Sequence, residues 1–236
     1  MAYKTELLLS FDMPKFNRGA ASRPRQGPVL FRSKAAGSRR PEDSSSAEDF
    51  YESGCGDAHR DKNAIRNIQG KITLRALELL AVAPPAKLLD AGCGSGFSSL
   101  VAKEVGFEVS GFDMDKKMVA AAKKSGVDAK IGNLADIPFE AKSFDAAISI
   151  SALQWLGAGK PPKAAFDEYF KAAKEFARVL KPASRAVIQF YPKDEDEAFC
   201  AGKAFRKAGF AVRLQIDSAD NPKRRKTYLV LALQIA

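Results

Sequence analysis

One histidine in 236 residues, His59, is the first constraint. A Ser-His-Asp or Cys-His centre would rest wholly on that residue, in a weakly patterned stretch, so such chemistry is nearly excluded. The three cysteines, Cys55, Cys93 and Cys200, are too few and too widely spaced for a disulfide framework or a zinc knuckle. No metal site is expected. No apolar run approaches the roughly 20 residues that span a bilayer. Leu7 to Leu9, the short apolar stretch near the amino terminus, falls far below a secretory core. These absences predict a soluble, cytoplasmic protein with no membrane contact, nuclear as well if the source is a eukaryote.

Acidic residues are scarce at particular places. Residues 1–40 hold nine Lys or Arg and two acids, and Lys223-Arg224-Arg225-Lys226 forms a second basic patch. Of the net charge of +10, the rest of the chain carries about −1. Charge placed in two patches on a near-neutral body favours a polyanionic partner touched at particular points. The plainer alternative is a solvated tail and a lysine-protected hairpin turn.

The chain divides at about residue 47. Residues 1–47 read as a basic extension without stable structure, rich in Gly and Pro and ending on Ser44 to Ser46. Residues 48–236 read as one domain, with an N-terminal helical cap over 48–85 and a catalytic core over 86–236. Ile65, Ile68, Ile72, Leu74, Leu77 and Leu80 recur at helical spacing within 63–82, and Pro84-Pro85 stops that helix. Strands are predicted at 87–91, 107–112, 127–131, 144–150, 185–190, 210–216 and 227–233. Helices are predicted at 97–105, 116–124, 163–180 and 195–208. Such alternation predicts an α/β, doubly wound, seven-stranded and mostly parallel sheet. The last two strands are joined by too short a link for a crossover, so the last one should be antiparallel.

The most informative stretch is Leu88-Leu89-Asp90-Ala91-Gly92-Cys93-Gly94-Ser95-Gly96. A buried strand runs into glycines at every second position. Residues without a Cβ let a ligand approach the backbone, and the helix that follows aims free N–H groups at it. Cys93 reads as packing within this loop. Asp113 ends the second strand, 17 residues past Gly96. A carboxylate there accepts two hydrogen bonds from ribose hydroxyls. Capping of the next helix is the other reading of Asp113. Ligands in such sheets bind beyond the carboxyl ends of the strands, which gathers Gly92, Cys93, Gly94, Gly96, Asp113, Asn133, Leu134, Ser149, Ile150 and Ser151 around one cleft.

Asp-x-Gly-x-Gly-x-Gly over Asp90 to Gly96 resembles the S-adenosylmethionine loop of class I methyltransferases. The resemblance implies that the loop faces the methionine part of the cofactor and that Asp113 holds its ribose. Asp90 either takes part in that contact or organises the loop backbone alone. Many members carry an aspartate after strand three that accepts from the adenine amino group. Asn133 stands there and keeps one acceptor oxygen. Leu134 and Met114 either flank the adenine ring or fill the core.

Ile148-Ser149-Ile150-Ser151-Ala152-Leu153-Gln154-Trp155-Leu156 resembles a narrower family, the small-subunit ribosomal RNA (guanine-N7)-methyltransferases of eukaryotic and archaeal type. Arg39-Arg40-Pro41-Glu42, Phe50-Tyr51, Arg75 to Leu80, Phe190-Tyr191-Pro192 and Asn221-Pro222 through Tyr228-Leu229 extend the resemblance over roughly residues 39–236. Residues 1–38 have no counterpart in it, and His59-Arg60 match only loosely. Eukaryotic members carry a long basic tail that this chain lacks, which suggests an archaeal or reduced version. Leu-Gln-Trp also occurs in malonyl-carrier-protein O-methyltransferases, so a small-molecule or carrier-protein O-methyltransferase is the alternative. A non-catalytic ribosome assembly factor is a third.

Guanine N7 offers an in-plane lone pair and has no proton to lose, so its methylation needs alignment and exclusion of water rather than a general base. The expected cleft fits that need, with Ser149, Ser151, Gln154, Trp155 and Tyr191 as positioning residues. Trp155 either stacks on a splayed base or anchors its helix. Phe50 and Tyr51 are candidates to close the pocket. Lys223, Arg224, Arg225 and Lys226, with Arg39 and Arg40, are the expected contacts to the RNA of the pre-ribosome. The family resemblance further implies a heterodimer with a small zinc-binding activator subunit. The strand at 127–131, expected at a sheet edge, is a place for a partner to cover.

Overall fold

The computed structural model describes residues 62–221 and 224–235. The expected basic extension, Arg39, Arg40, Phe50, Tyr51, His59, Pro222 and Lys223 lie outside these residues.

Helix α1 (Lys62–Leu80) precedes β1 (Lys87–Ala91), α2 (Phe97–Val105), β2 (Glu108–Asp113), α3 (Lys116–Lys124) and β3 (Asp128–Ile131). Then follow β4 (Phe144–Ile150), α4 (Gln154–Gly157), α5 (Pro162–Val179), β5 (Leu180–Phe190), α6 (Glu195–Lys207), β6 (Phe210–Asp217) and β7 (Lys226–Leu233). The seven strands form one sheet in the order β3-β2-β1-β4-β5-β7-β6. Strands β1 to β5 are parallel, and β7 runs antiparallel to both β5 and β6. This is the expected doubly wound sheet with its reversed last strand. The order turns back between β1 and β4, and a crevice opens there beyond the strand ends.

Each face of the sheet is buried under helices. On one face Ile72, Ala76, Leu77 and Leu80 of α1 and Ala102 of α2 pack on Leu88, Val109, Ile148, Val187 and Val230. The expected N-terminal cap thus continues, in its described part, as a helix laid against the sheet. On the other face Tyr169, Phe176 and Val179 of α5 and Phe205 of α6 pack on Leu89, Ala147, Ile188 and Leu231. A smaller cluster joins Val119 and Ala122 of α3 to Val127, Ala129 and Cys93. The strands read as near-continuous apolar runs because both of their faces are covered.

Two elements depart from the sequence expectation. Strand β5 begins at Leu180, directly on the end of α5, and not at Arg185. Leu180 pairs with Phe144, the register shifts, and pairing resumes at Arg185 with Ala146. Ala183, at φ 61°, lies inside this irregularity. The helix expected at Trp155 is the single turn α4, whose bounds the sequence did not give, since four residues are too few to register as a period.

The link between β3 and β4 is held from below by α5. Arg178 donates to the carbonyls of Phe139 (2.7 Å) and Ile137 (2.8 Å), and Glu175 accepts the Ile137 amide (2.8 Å). Glu175 and Arg178 also pair with each other, and that pairing holds the Glu175 carboxyl below its usual range. A planar guanidinium reaches two carbonyls and a carboxylate at once, which a lysine cannot reproduce. Replacing Arg178 with Ala is expected to cost about 2 kcal/mol. The loss should appear as faster hydrogen exchange of the amides in 132–139 than in the core strands, and uniform exchange would contradict it.

Candidate functional site

The glycine loop hangs from the end of β2. The amides of Gly92 and Cys93 both donate to the Phe112 carbonyl at 2.9 Å, and Gly94 N–H donates to Asp113 Oδ2 at 2.9 Å. Gly92, Gly94 and Gly96 have φ of 76°, 53° and 88°, a left-handed backbone that glycine adopts without strain. A Cβ on Gly92 would lie 2.6 Å from that of Ala152, and one on Gly96 would lie 2.9 Å from Val127. A Cβ on Gly94 would meet nothing within 4 Å. The loop is therefore packed behind and open in front, where a ligand would lie.

Asp90 lies beneath this loop, fully buried. Its Oδ2 accepts from the hydroxyls of Ser98 and Ser99 at 2.6 Å each, tying β1 to the first turn of α2. Its Oδ1 is buried with no partner among the described residues. Burial pushes the carboxyl up to about 6; the serine bonds act against this and the nearby Asp113 adds to it. Asp113 is also raised, chiefly by burial, against the amides of Asp115 and Gly94 that donate to it. Cys93 is buried and its thiol is pushed well above the ordinary range, so it is packing.

Asp113 does not cap the next helix. Asp115 does so, accepting from the amides of Lys117 and Met118. The Asp113 carboxylate instead lies at the loop mouth, with Oδ1 on the Asp115 amide at 3.0 Å. Met114 beside it is 50% exposed and leaves an apolar surface free for a flat ring. Leu134, in contrast, is buried in the core with Phe112 and Ile137. Asn133 folds its side-chain oxygen back onto the Ala135 amide at 2.8 Å, so the acceptor expected for adenine already closes a turn.

The other half of the crevice is built on β4 and β5. Ser149 is fully buried and its hydroxyl donates to the Ala91 carbonyl at 2.7 Å, joining two strand ends rather than lining the cleft. Ile150 is buried as well. Ser151 turns the chain at φ 59° and donates its hydroxyl to Gln189 Oε1 at 2.8 Å. Gln154 is buried against the Ser151 carbonyl, while Trp155 is half-buried. Tyr191, just past β5, is half-buried under the ammonium of Lys226, 5.6 Å from its ring centre.

The basic turn is less open than its sequence implies. Arg224 is exposed. Arg225 donates to the Ala219 carbonyl at 2.8 Å, and Lys226 reaches the carbonyls of Arg224 and Arg225. Only the structure could reveal this, because a charge run carries no signal of which members close their own turn. Gln189, fully buried on β5 and partner to Ser151, is the member of the site that sequence reasoning missed. It sits inside an apolar strand, with no motif to mark it.

The fold, with this crevice at its turning point, is that of an S-adenosylmethionine-dependent methyltransferase. Residues 89–188 match a family model described as a methyltransferase domain. The 18S rRNA (guanine(1575)-N(7))-methyltransferase of Saccharomyces cerevisiae is 37% identical over 202 residues, 82% of this chain and 72% of that one. The chain belongs to the 18S rRNA (guanine-N(7))-methyltransferase family. Two solved structures share the fold. One is the putative methyltransferase in complex with the Haloferax volcanii Trm112 methyltransferase activator, at TM-score 0.57 and 19% identity over 74% of this chain and 92% of that one. The other is magnesium protoporphyrin IX methyltransferase of Synechocystis with bound cofactor, at TM-score 0.56 and 20% identity over 76% and 86%.

The raised Asp90 has a signed consequence. Its folded value near 6 lies above the unfolded 3.8, so the native state holds the proton more tightly. The stability that Asp90 contributes is complete below pH 4 and is lost as pH rises to about 6, by about 3 kcal/mol. Asp90→Asn keeps an acceptor for Ser98 and Ser99 but cannot ionise. In denaturant titrations the variant should gain on the wild type by about that amount between pH 4 and 6. A pH-independent difference would contradict the assignment.

Proposed function

We propose that this protein transfers the methyl group of S-adenosylmethionine to N7 of a guanosine in small-subunit ribosomal RNA during ribosome assembly. The observation that carries the reading is 37% identity over 82% of the chain to an enzyme named for that reaction. The protein acts where small subunits are assembled, in the cytoplasm and, in a eukaryote, in the nucleus as well.

When bound, S-adenosylmethionine would supply an electrophilic sulfonium methyl carbon; the N7 lone pair forms the new bond, the carbon–sulfur pair leaves on sulfur, and the cationic N7-methylguanine has no proton to remove. The chain's own work is therefore binding, orientation and exclusion of water. The Gly92–Gly96 backbone takes the methionine end. Asp113 keeps the Gly94 amide on Oδ2 and accepts the ribose hydroxyls on its remaining lone pairs, and Met114 packs on the adenine ring. Asn133 flanks that ring through its turn. Ser151, Gln154, Trp155 and Tyr191 surround the acceptor base, and none of them is a general base at neutral pH. Trp155 and Tyr191 offer aromatic faces on which an unstacked base can lie. Arg224 and Lys226, with Lys223, Arg225, Arg39 and Arg40, make the phosphate contacts.

Asp113→Ala removes two charge-assisted bonds to ribose, about 2–3 kcal/mol, and weakens cofactor binding roughly 30- to 160-fold. Calorimetry measures that loss. Cleavage at N7-methylguanosine in ribosomal RNA from cells carrying wild type, Asp113→Ala or no gene then tests the reaction. A methylation pattern indifferent to all three would sink the reading.

The partner is a small zinc-binding activator subunit. What supports this is the solved Trm112 complex of a protein with the same fold and the exposed edge of the sheet at β3. Ile131 on that strand is 53% exposed, and unpaired edge groups accept a further strand. The chain expressed alone should be poorly soluble, with co-expression of the activator restoring it. Ile131→Glu should lower the yield of the complex at unchanged helix content. A soluble, fully active lone chain would contradict this.

A further inference from the structure

One acceptor in the cleft is left without a task by methyl transfer as described. Gln154 is 5% exposed, and its Oε1 is buried with no hydrogen-bond partner among the described residues. The amide cannot be turned over to hide that oxygen. Its Nε2 donates to the Ser151 carbonyl at 2.7 Å, and a flip would set two carbonyl oxygens against each other. Ser151 is itself fixed. Its N–H donates to the Gln189 carbonyl at 2.9 Å and its hydroxyl to Gln189 Oε1 at 2.8 Å.

Two costs coincide at this point. An unpaired buried carbonyl is unfavourable, and so is a left-handed φ of 59° at Ser151, which is not a glycine. Both fall at the carboxyl end of β4, against the glycine loop, since Ala152 packs behind Gly92. An amide network that holds one oxygen rigid and unsatisfied beside the reacting centre is arranged for a donor that arrives with the substrate.

We propose that Gln154 Oε1 reads the Watson–Crick edge of the target guanine, accepting from N1–H and the 2-amino group. The inference rests on the reading of the substrate as guanine in RNA. Guanine presents two adjacent donors on that edge, whereas adenine presents the N1 lone pair, which would face the Gln154 oxygen and repel it. N7 lies on the opposite edge of the purine, so a base gripped in this way keeps N7 open to the methyl donor. Positive charge enters the ring during transfer and makes N1–H and the amino group stronger donors. The bond to Oε1 therefore tightens in the transition state, and Gln154 acts on kcat as well as KM. Gln154 is covered, so the base enters as the residues beyond it, up to 160, turn aside while Gln189 holds Ser151 in place. Helix α4 is four residues long with no side-chain cap, and Gly159 follows at φ 67°.

The test compares RNA fragments bearing guanosine or inosine at the methylated position, since inosine lacks only the 2-amino group. Full-length wild type, purified as its complex with the co-expressed activator, should bind the guanosine RNA more tightly by fluorescence anisotropy without cofactor. It should also methylate that RNA with kcat/KM at least tenfold higher. Gln154→Met should lower kcat/KM on guanosine RNA by 10- to 100-fold, keep its affinity for S-adenosylmethionine, and treat the two RNAs alike. Destabilisation alone would leave the preference between the RNAs intact. Wild type that methylates both RNAs equally overturns the assignment without any variant, and so does Gln154→Met that still prefers guanosine. Wild type that methylates neither RNA sinks the guanine reading itself, an outcome distinct from the other two.

Discussion

The Phe112 carbonyl is the point from which the site hangs. It accepts two successive amides of the glycine loop, and the next residue, Asp113, takes a third. Three backbone N–H groups on two neighbouring acceptors leave the loop one conformation, and glycine is the residue that adopts it without strain. The arrangement needs Ala91 level with Phe112, which the parallel register of β1 and β2 provides. It also needs Gly111 bare, because a Cβ there would lie 2.9 Å from Cys93. Fold and site are thus one construction.

Electrostatics follow from the same burial. Asp90 and Asp113 are withdrawn from water close to each other, and both are pushed upward. Burial is the leading cause at both, with the charge of Asp113 adding at Asp90 and that of Asp115 adding at Asp113. The hydroxyls of Ser98 and Ser99 donate to Asp90 Oδ2, so the carboxylate also ties β1 to the first turn of α2.

The acceptor half is organised differently. Amide groups rather than charges hold it, through Gln189, Ser151 and Gln154. That suits a reaction in which a neutral base becomes a cation and no proton moves. Basic charge is kept at the rim, where Lys226 lies over Tyr191 and Arg224 is exposed. Among the described residues no helix is long and apolar enough to cross a membrane.

Some of this was legible before any coordinates. The alternation of apolar strands and helices defined a doubly wound sheet, because period and order are local properties of the chain. The compressed glycine spacing and Asp113 named the methyl donor for the same reason. What escaped depends on contacts between distant segments. Ser149 and Gln154 read as cleft polar groups, yet Ala91 and the Ser151 turn draw them inward. Leu134 went to the core and Met114 to the surface, a choice that no pattern of two residues encodes. The sequence by itself determined the order of elements and the chemistry of the cofactor loop, since these follow from periodicity and from residues adjacent in the chain. Only the tertiary structure decided which polar groups face the cleft, because a side chain's partners are set by strands that the chain brings together from far apart.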